Sequence, residues 1–495
     1  MKYVRVPQEL QSTDLRKAEA CFSPGRYVRF VPPALKGASH FAPLDKLVIV
    51  REESIKAVKA DTYRYAEIGD INVSTGGVVF REMRGFQLPT KRPATTATGD
   101  VLVSTVRTYR KGIGLVVDGG DNLVTTNAVL TFCGTTGFAP GVTLPYVYSF
   151  LRSDFFVEQV WSLLNRGVYP RMDTGALDKV VIPIADDKSV CEYIAALAVA
   201  IAEKEKAIRV RDAEIFQLID TELAGNQSGA AFQYEHPNVK EVRNLGRLDA
   251  AIYSHEYKSK IARILNYQQG SRTPTAAGFT ITPGPSLEMK LLRTRIDSDV
   301  PKKGFYQLLI PANISEYGTM DAVTWLGTAR DLPHLRVGDI LFGEAGFHKR
   351  RSIVLIDQPE RATTNAHGLY SRREDGNLQK SIFFRCIFNW YRSQRLIDLM
   401  AVGGSGGHFS PNYFDFLRIP KFPEHLEQKI ARLYHNPAPR PAAKLALANF
   451  VTWHRQWNEG LGIWELDREM KALQQTLNAV QEQIIEGKTV TLPFA

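Results

Sequence analysis

Two pairs of neighbouring basic residues, Arg110-Lys111 and Lys349-Arg350, stand 239 positions apart, each with a further arginine close by, Arg107 and Arg351. Guanidinium and ammonium groups on a turn suit phosphate oxygens or the acceptor edge of guanine; a solvated hairpin tip is the competing reading of the same residues. Two glycine-containing stretches repeat in step with them, Asn165-Arg166-Gly167-Val168-Tyr169-Pro170-Arg171 and Gly403-Gly404-Ser405-Gly406-Gly407-His408-Phe409-Ser410-Pro411. Glycine lets backbone amides approach a phosphate closely, and Arg166, Tyr169, Arg171, His408, Ser410 and Asn412 are the polar side chains such loops would turn toward DNA. A loop that only turns the chain ahead of the next Ile-Pro pair is the alternative. Asn127 and Asn365, each after Thr-Thr, read as scaffold, because Asn and Thr bond local backbone in turns; the same holds for Asp100 and Asp339. The chain has no convincing pair of carboxylates with a catalytic lysine and no phosphate-loop lysine motif. Its four cysteines, Cys21, Cys133, Cys191 and Cys386, form no CxxC and have no histidine at metal-ligand spacing, so no metal site is expected and buried free thiols in a reducing compartment are.

These residues recur because the chain nearly repeats itself. Gly99-Asp100-Val101-Leu102 returns as Gly338-Asp339-Ile340-Leu341, Thr125-Thr126-Asn127 as Thr363-Thr364-Asn365, Leu151-Arg152-Ser153 as Tyr391-Arg392-Ser393, Ile182-Pro183 as Ile419-Pro420 and Ile194-Ala195 as Ile430-Ala431, at displacements of 236 to 240 residues. Upstream, Ala20-Cys21-Phe22-Ser23 faces Ile252-Tyr253-Ser254 at a displacement near 231. A period this long is no solenoid repeat, so each copy is expected to be a globule with its own core. With 495 residues, 44% hydrophobic and 23% charged, the composition is that of a folded protein of several domains. The net charge of +10 favours an anionic partner. The first residues, Met1 to Pro7, carry charge where a secretory signal needs an apolar core, and the longest apolar stretch, near Ile194 to Ala202, is too short to cross a bilayer; a cytoplasmic protein is expected.

Within each copy, short β-branched runs alternate with Gly, Pro, Asn and Thr turns: Asp100–Val106, Ile113–Val117, Asn127–Phe132 and Val180–Ile184, then Asp339–Phe342, Ser352–Ile356 and Phe416–Ile419. One amphipathic helix per copy is expected around Pro145–Leu164 and Gln379–Met400. Each copy ends in a heptad stripe. Ile194, Ile201, Ile208 and Ile215 recur every seven residues with Leu197 and Leu218 between them, interrupted by Lys204 and Arg211; Ile463, Met470, Leu477 and Ile484 alternate with Leu466, Leu473 and Val480. Two stripes in equivalent places predict that the helical ends pair with each other, as a rod of roughly 45 Å. The resulting fold is mixed α/β, two duplicated globules joined by long helices that pair as an antiparallel coiled coil. Its boundaries are 1–186 for the first globule, 187–223 for the first helical spacer, 224–246 for a linker, 247–424 for the second globule and 425–490 for the second spacer.

In this order the motifs resemble the DNA-specificity subunit of type I restriction–modification systems. The likeness is carried by Gly-Asp-(Val/Ile)-Leu, then Thr-Asn, a glycine-containing loop, Ile-Pro and a helix opening at Glu427-Gln428-Lys429-Ile430-Ala431, together with the segment Arg247 to Tyr257, which resembles the start of that family's target-recognition domain. The chain departs from the pattern at Asp186-Asp187 and Pro423-Glu424-His425, where the family has Pro-Pro-Leu, and at Cys191-Glu192-Tyr193, where it has Glu-Gln. The resemblance implies a non-catalytic subunit whose two target-recognition domains read two half-sites of double-stranded DNA, separated by about half a turn to one turn of unread base pairs. It also implies two modification subunits as partners, with restriction subunits as a possible addition. S-adenosylmethionine, and ATP with Mg for restriction, would be carried by those partners, and no cofactor by this chain.

Two other classes fit parts of the sequence. A stand-alone nucleic-acid-binding adaptor would need no modification partners. An amino-methyltransferase is the other, since Ser410-Pro411-Asn412-Tyr413 resembles the (Asp/Asn/Ser)-Pro-Pro-(Tyr/Phe) loop of those enzymes and Gly343-Glu344-Ala345-Gly346-Phe347 a cofactor glycine loop; the third position of the first is wrong for it.

Overall fold

The computed structural model describes residues 2–5, 29–31, 33, 37–163, 172, 174–229, 232–315, 317–343, 352–357, 361–402 and 409–494. It divides into two compact units. Unit 1 comprises Met1–Ala207, Pro439–Glu459 and Leu466–Ala495; unit 2 comprises Ile208–Ala438 and Gly460–Glu465.

In unit 1, β1 (Ser39–Pro43), β2 (Val48–Val50), β3 (Thr62–Ala66), β4 (Arg81–Arg84), β5 (Val101–Ser104), β6 (Ile113–Leu115), β7 (Leu123–Thr125) and β8 (Val129–Thr135) precede α1 (Leu144–Leu151), α2 (Asp154–Leu163), β9 (Val181–Ala185) and the start of α3 (Lys188–Gly225), whose residues from Ile208 onward belong to unit 2. One sheet has the order β2-β8-β5-β6, all antiparallel. A second is built on β4-β3-β7, with β3 and β7 parallel and the two-residue strand Ala94–Thr95 at its edge. β9 pairs with β1, Ile182 opposite Ala42. Strand β5 is buried at all four positions, as its continuous apolar run requires.

Unit 2 repeats this plan with β10 (Ser271–Arg272), β11 (Phe279–Pro283), β12 (Tyr306–Leu308), β13 (Thr324–Gly327), β14 (Ile340–Gly343), β15 (Ser352–Val354), β16 (Ala362–Thr363) and β17 (Gly368–Arg373), followed by α4 (Leu378–Ser393), α5 (Leu396–Met400), β18 (Ile419–Pro420) and α6 (Glu424–Tyr434). The first sheet runs β11-β17-β14-β15, strand for strand the order of unit 1. The second contains β13-β12-β16, again with one parallel pair, β12–β16, but its extra strand, Ile296–Ser298, lies on the opposite edge, so that the parallel pair is at an edge here and central in unit 1. β18 pairs with β10, Ile419 opposite Arg272. The two cores are filled from the same places: Ala66, Ile71, Leu102 and Val116 in one stand where Leu309, Ile314, Leu341 and Leu355 stand in the other.

Several expectations are modified. Each predicted amphipathic helix is two helices. In unit 1 the break is at Arg152-Ser153, where the Ser153 hydroxyl accepts from Phe156 N at 3.3 Å and caps α2; in unit 2 Arg395 takes a left-handed φ of 60° between α4 and α5. Phe416–Ile419 is not one strand, since a 3-10 turn, Pro411–Phe416, precedes a two-residue strand. The region 224–246 contains a short helix, Val239–Leu245, capped by Asn238 and with no buried residue.

The helical ends are α3 in one copy, and α6, α7 (Phe450–Gly460) and α8 (Ile463–Ile485) in the other. α3 opens where Asp187 Oδ1 accepts from Ser189 N at 2.8 Å, and its 38 residues make it about 57 Å long. Of the residues assigned to helix pairing, Ile194, Ile201, Ile208, Ile215, Met470, Leu477 and Ile484 are buried, while Leu473 is half-buried. The interruption at Lys204 is answered inside unit 1. Its side chain is fully buried, with Nζ 2.7 Å from Asn458 Oδ1 and 5.2 Å from the Trp457 ring centre.

Burial pushes the Lys204 ammonium down to about 8. A lysine whose folded pKa lies below its unfolded one destabilises the fold most below the folded value, and the penalty fades as pH rises toward 10.5. Lys204→Met is therefore expected to raise stability by about 1–3 kcal/mol at pH 7. The gain should shrink when chemical denaturation is repeated near pH 10; an undiminished gain would mean that packing, not desolvation of the charge, is responsible.

Candidate nucleic-acid interface

Strands β5 and β6 form a hairpin with Val103 opposite Ile113 and Ser104 N bonded to Gly112 O at 2.8 Å. Its tip is knotted by its own hydroxyls. Thr108 Oγ1 donates to Ser104 O at 2.7 Å, Ser104 Oγ to Val106 O at 2.8 Å, and Thr105 Oγ1 to Ala128 O at 2.9 Å. A single 3-10 turn, Thr108–Arg110, is flanked by Arg107 at φ 50° and Lys111 at φ 60°. Left-handed backbone costs an L-residue roughly 1–2 kcal/mol, and residues held there cluster at ligand-binding sites. The turn therefore presents three basic side chains in a fixed frame.

Their environments differ. Arg110 is exposed, and no side chain among the described residues pairs with it. Lys111 Nζ lies 2.7 Å from Asp154 Oδ1 at the start of α2, which holds the ammonium at the tip and partly neutralises it. Arg107 is half-exposed. Beside them Tyr109 stacks on Trp161 with ring centres 4.6 Å apart. The end of the glycine-containing loop joins this tip, because Met172, buried, donates its N–H to Thr105 O at 2.9 Å. Arg166, Tyr169 and Arg171 lie outside the described residues.

In unit 2 the equivalent hairpin is β14–β15, with Ile340 opposite Val354 and Phe342 opposite Ser352. Its tip, including Lys349, Arg350 and Arg351, lies outside the described residues, as does His408. Phe409, buried, takes the place of Met172. Ser410 is half-buried and Asn412 exposed at the start of the 3-10 turn. That turn is held by Arg247, whose guanidinium sits 4.4 Å from the Tyr413 ring centre and 5.3 Å from that of Phe416 while donating to Met400 O at 2.7 Å.

The sequence reading missed the arginine that fixes each hairpin. Arg152 Nη1 donates to Ile113 O at 2.9 Å and to Lys111 O at 3.3 Å, and Arg152 Nη2 to Ser74 O at 2.7 Å. Arg392, its repeat equivalent, donates from Nη2 to Gly343 O at 3.2 Å. The two following serines also agree, Ser153 Oγ bonding Phe150 O and Ser393 Oγ bonding Trp390 O. The signal was present, since Arg-Ser is one of the repeated dipeptides, but a repeat match does not say what a side chain touches.

Asp100 and Asp339 are buried and pinned. Asp100 accepts Arg51 Nε at 3.0 Å and Nη2 at 3.1 Å, with Ala97 N at 2.8 Å. Asp339 accepts Arg372 Nε at 2.8 Å and Nη2 at 2.6 Å, with Arg336 N at 2.8 Å. Thr364 Oγ1 donates to Leu309 O at 2.8 Å, and Asn365 Oδ1 accepts from His367 N at 3.2 Å. These contacts are those of scaffold.

Among the described residues no cluster of three or more His, Cys, Asp or Glu is arranged to hold a metal ion, and no helix is long and apolar enough to cross a membrane. Cys191 and Cys386 are buried free thiols, each pushed up to about 11 by burial.

No protein-family model and no curated protein matches the chain. Among solved structures it is similar to the type I restriction–modification system S subunit from M. genitalium, at 14% identity and a TM-score of 0.42 over 93% of this chain and 97% of that one. It is also similar to the HsdS subunit from Thermoanaerobacter tengcongensis, at 14% identity and a TM-score of 0.33 over 92% and 99%, and to a chain from a type I restriction–modification complex, at 14% and 0.32 over 92% and 100%.

Proposed function

We propose that this chain is a non-catalytic, sequence-specific DNA-binding subunit that directs a type I or type I-like restriction–modification methyltransferase to an asymmetric bipartite target. One observation carries the reading. The two units share a sheet order built around a hairpin whose backbone is bonded by a repeat-equivalent arginine, Arg152 or Arg392, whereas the loops and tips that would meet DNA differ in sequence. A common scaffold with divergent tips suits two half-sites of different sequence, and the basic tip residues suit phosphates or guanine. S-adenosylmethionine, and ATP with Mg where restriction occurs, belong in this reading to partner subunits in the cytoplasm.

Two modification subunits fit a duplicated chain by pseudo-twofold symmetry. Leu445, Leu447, Phe450 and Trp457 belong to the segment 444–457, which has no counterpart in the first copy and would offer the apolar surface for docking, but Phe450 and Trp457 cannot serve. Both are buried within unit 1, where Phe450 packs edge-on against Tyr193 at 5.7 Å. Leu445 and Leu447 are half-buried.

The test is methylation profiling of a genome that carries the gene with its neighbours. Arg110→Ala with Lys111→Ala is expected to weaken or relax recognition of one half-site, and Lys349→Ala with Arg350→Ala the other. Equal loss over both half-sites from either variant would refute independent reading by the two units. No loss from both would return these residues to a solvated turn. A chain that elutes alone after co-expression with its genomic neighbours would refute the partner assignment.

A further inference from the structure

Unit 1 has a second basic surface, well separated in sequence from the hairpin tip and not anticipated from the sequence. Three segments at the edge of the β4-β3-β7 sheet are tied together by backbone bonds. Ala57 N donates to Lys91 O at 3.0 Å, Ile55 N to Pro93 O at 3.1 Å, and Gly85 N to Asp61 O at 2.9 Å. Arg84 Nη1 adds a bond to Ala60 O at 2.9 Å. Gly85 lies so close to the neighbouring segment that a Cβ there would come within 2.0 Å of Val58 O, which fixes where the next residue emerges.

That next residue is Phe86, 67% exposed, and Val58 beside it is 54% exposed. Around them Lys56, Lys59, Lys91 and Arg92 are exposed and pair with no carboxylate among the described residues. The carboxylates of these segments and of β4 are Asp61 and Glu82, with Glu52 and Glu53 exposed just ahead of Ile55 and Glu53 3.6 Å from Arg51. A ring left in water within a rim of unneutralised cations is the complement of a polyanion that also offers stacked aromatic faces.

Unit 2 has a related edge. Val300 is 59% exposed, Lys302 and Lys303 are exposed, and the segment enters β12 at Tyr306 as the Val58-Lys59 segment enters β3 at Tyr63. There Asp297 and Asp299 are exposed beside Val300.

We propose that the sheet edge of unit 1 is a DNA-bending contact, in which Lys56, Lys59, Lys91 and Arg92 hold phosphates while the Phe86 ring wedges between base steps from the minor groove. It rests on the reading of the chain as a DNA-binding subunit and deepens it: the hairpin tips would read sequence, and this edge would grip and deform the duplex irrespective of sequence.

The test uses the full-length chain and a mixed-sequence duplex labelled at both ends, with affinity followed by anisotropy across a salt series and bending by energy transfer. Replacing Lys56, Lys59, Lys91 and Arg92 together with alanine should reduce the slope of log K against log salt by about 3 to 4, since each phosphate contact contributes roughly 0.9. Phe86→Ala should leave that slope unchanged, weaken binding about tenfold, as expected for loss of one stacking contact, and abolish the change in end-to-end distance. Because Phe86 is exposed, loss of fold is not expected, and an unaltered melting temperature verifies it. If the wild-type chain binds and bends the duplex but neither variant alters slope, affinity or distance, the proposal is overturned and the DNA-binding reading stands. If the wild-type chain binds no duplex alone while a complex carrying it still methylates a bipartite motif, the same two variants are measured in that complex, and unchanged slope, affinity and end-to-end distance there overturn the proposal. If neither binding nor methylation is found, both readings fall.

Discussion

Arg372→Cys is expected to lower the unfolding free energy of unit 2 by about 3–5 kcal/mol, the range for removing one partner of a buried ion pair, and Thr282→Arg introduced with it should restore much of the loss. The reason lies in how the repeats satisfy one carboxylate. Asp339 has a side chain only 1% exposed and receives two bonds from Arg372 on β17. Asp100 occupies the same place in unit 1, but its guanidinium comes from Arg51, just beyond β2. Strand pairing fixes the correspondence. Phe132 lies opposite Val101 and Ser371 opposite Ile340, so Cys133 stands where Arg372 does; Val50 lies opposite Phe132 and Ile281 opposite Ser371, so Thr282 stands where Arg51 does. The requirement is for a bidentate fork beside a buried carboxylate, and either flanking strand can furnish it. The reciprocal exchange, Arg51→Thr with Cys133→Arg, should behave alike in unit 1. Urea denaturation of the four variants decides the matter, read as two transitions if the units unfold separately. A double variant no more stable than its single parent would show that the strand of origin matters after all.

The second large effect concerns the stripe of α8. Leu477→Asp should cost about 3–5 kcal/mol, because Leu477 is 4% exposed and a carboxylate placed there finds no partner supplied for it. Leu473→Asp should cost less than about 1 kcal/mol, since Leu473 is half-buried and its substituent can turn toward water. Thermal melts of the two single variants separate these outcomes; equal losses would mean that the helix buries both rows of its heptad stripe.

The duplication was legible because the Gly-Asp strand, Thr-Thr-Asn, Arg-Ser and Ile-Pro are demanded by buried strands, turns and caps that both units need. What escaped the sequence has physical causes. The migrating arginine left no repeated residue to find, as the invariant is a charge at a place in space. The break at Arg152-Ser153 was hidden because serine is both a tolerated helix residue and a cap. Lys204 read as a flaw in a heptad row, since its partner Asn458 lies far along the chain. The correspondence of Tyr63 with Tyr306 and of Ile71 with Ile314 went unseen because a length change ahead of it shifts the offset. Of the candidate DNA contacts, Arg107, Arg110 and Lys111 lie together on one constrained turn and Ser410 and Asn412 on another, whereas the phenylalanine wedge carries no motif and is recognisable only by its exposure.

Unit 1 is not continuous in the chain: Met1–Ala207 is completed by Pro439–Glu459 and Leu466–Ala495, whereas unit 2 is almost entirely the single stretch Ile208–Ala438. During synthesis, the first copy to be made therefore lacks the segments that complete it until the second copy has been translated. At about 5–20 residues per second, that leaves Tyr193 without Phe450 and Lys204 without Asn458 for roughly 10–50 s beside the ribosome. Order of completion is thus the reverse of order of synthesis.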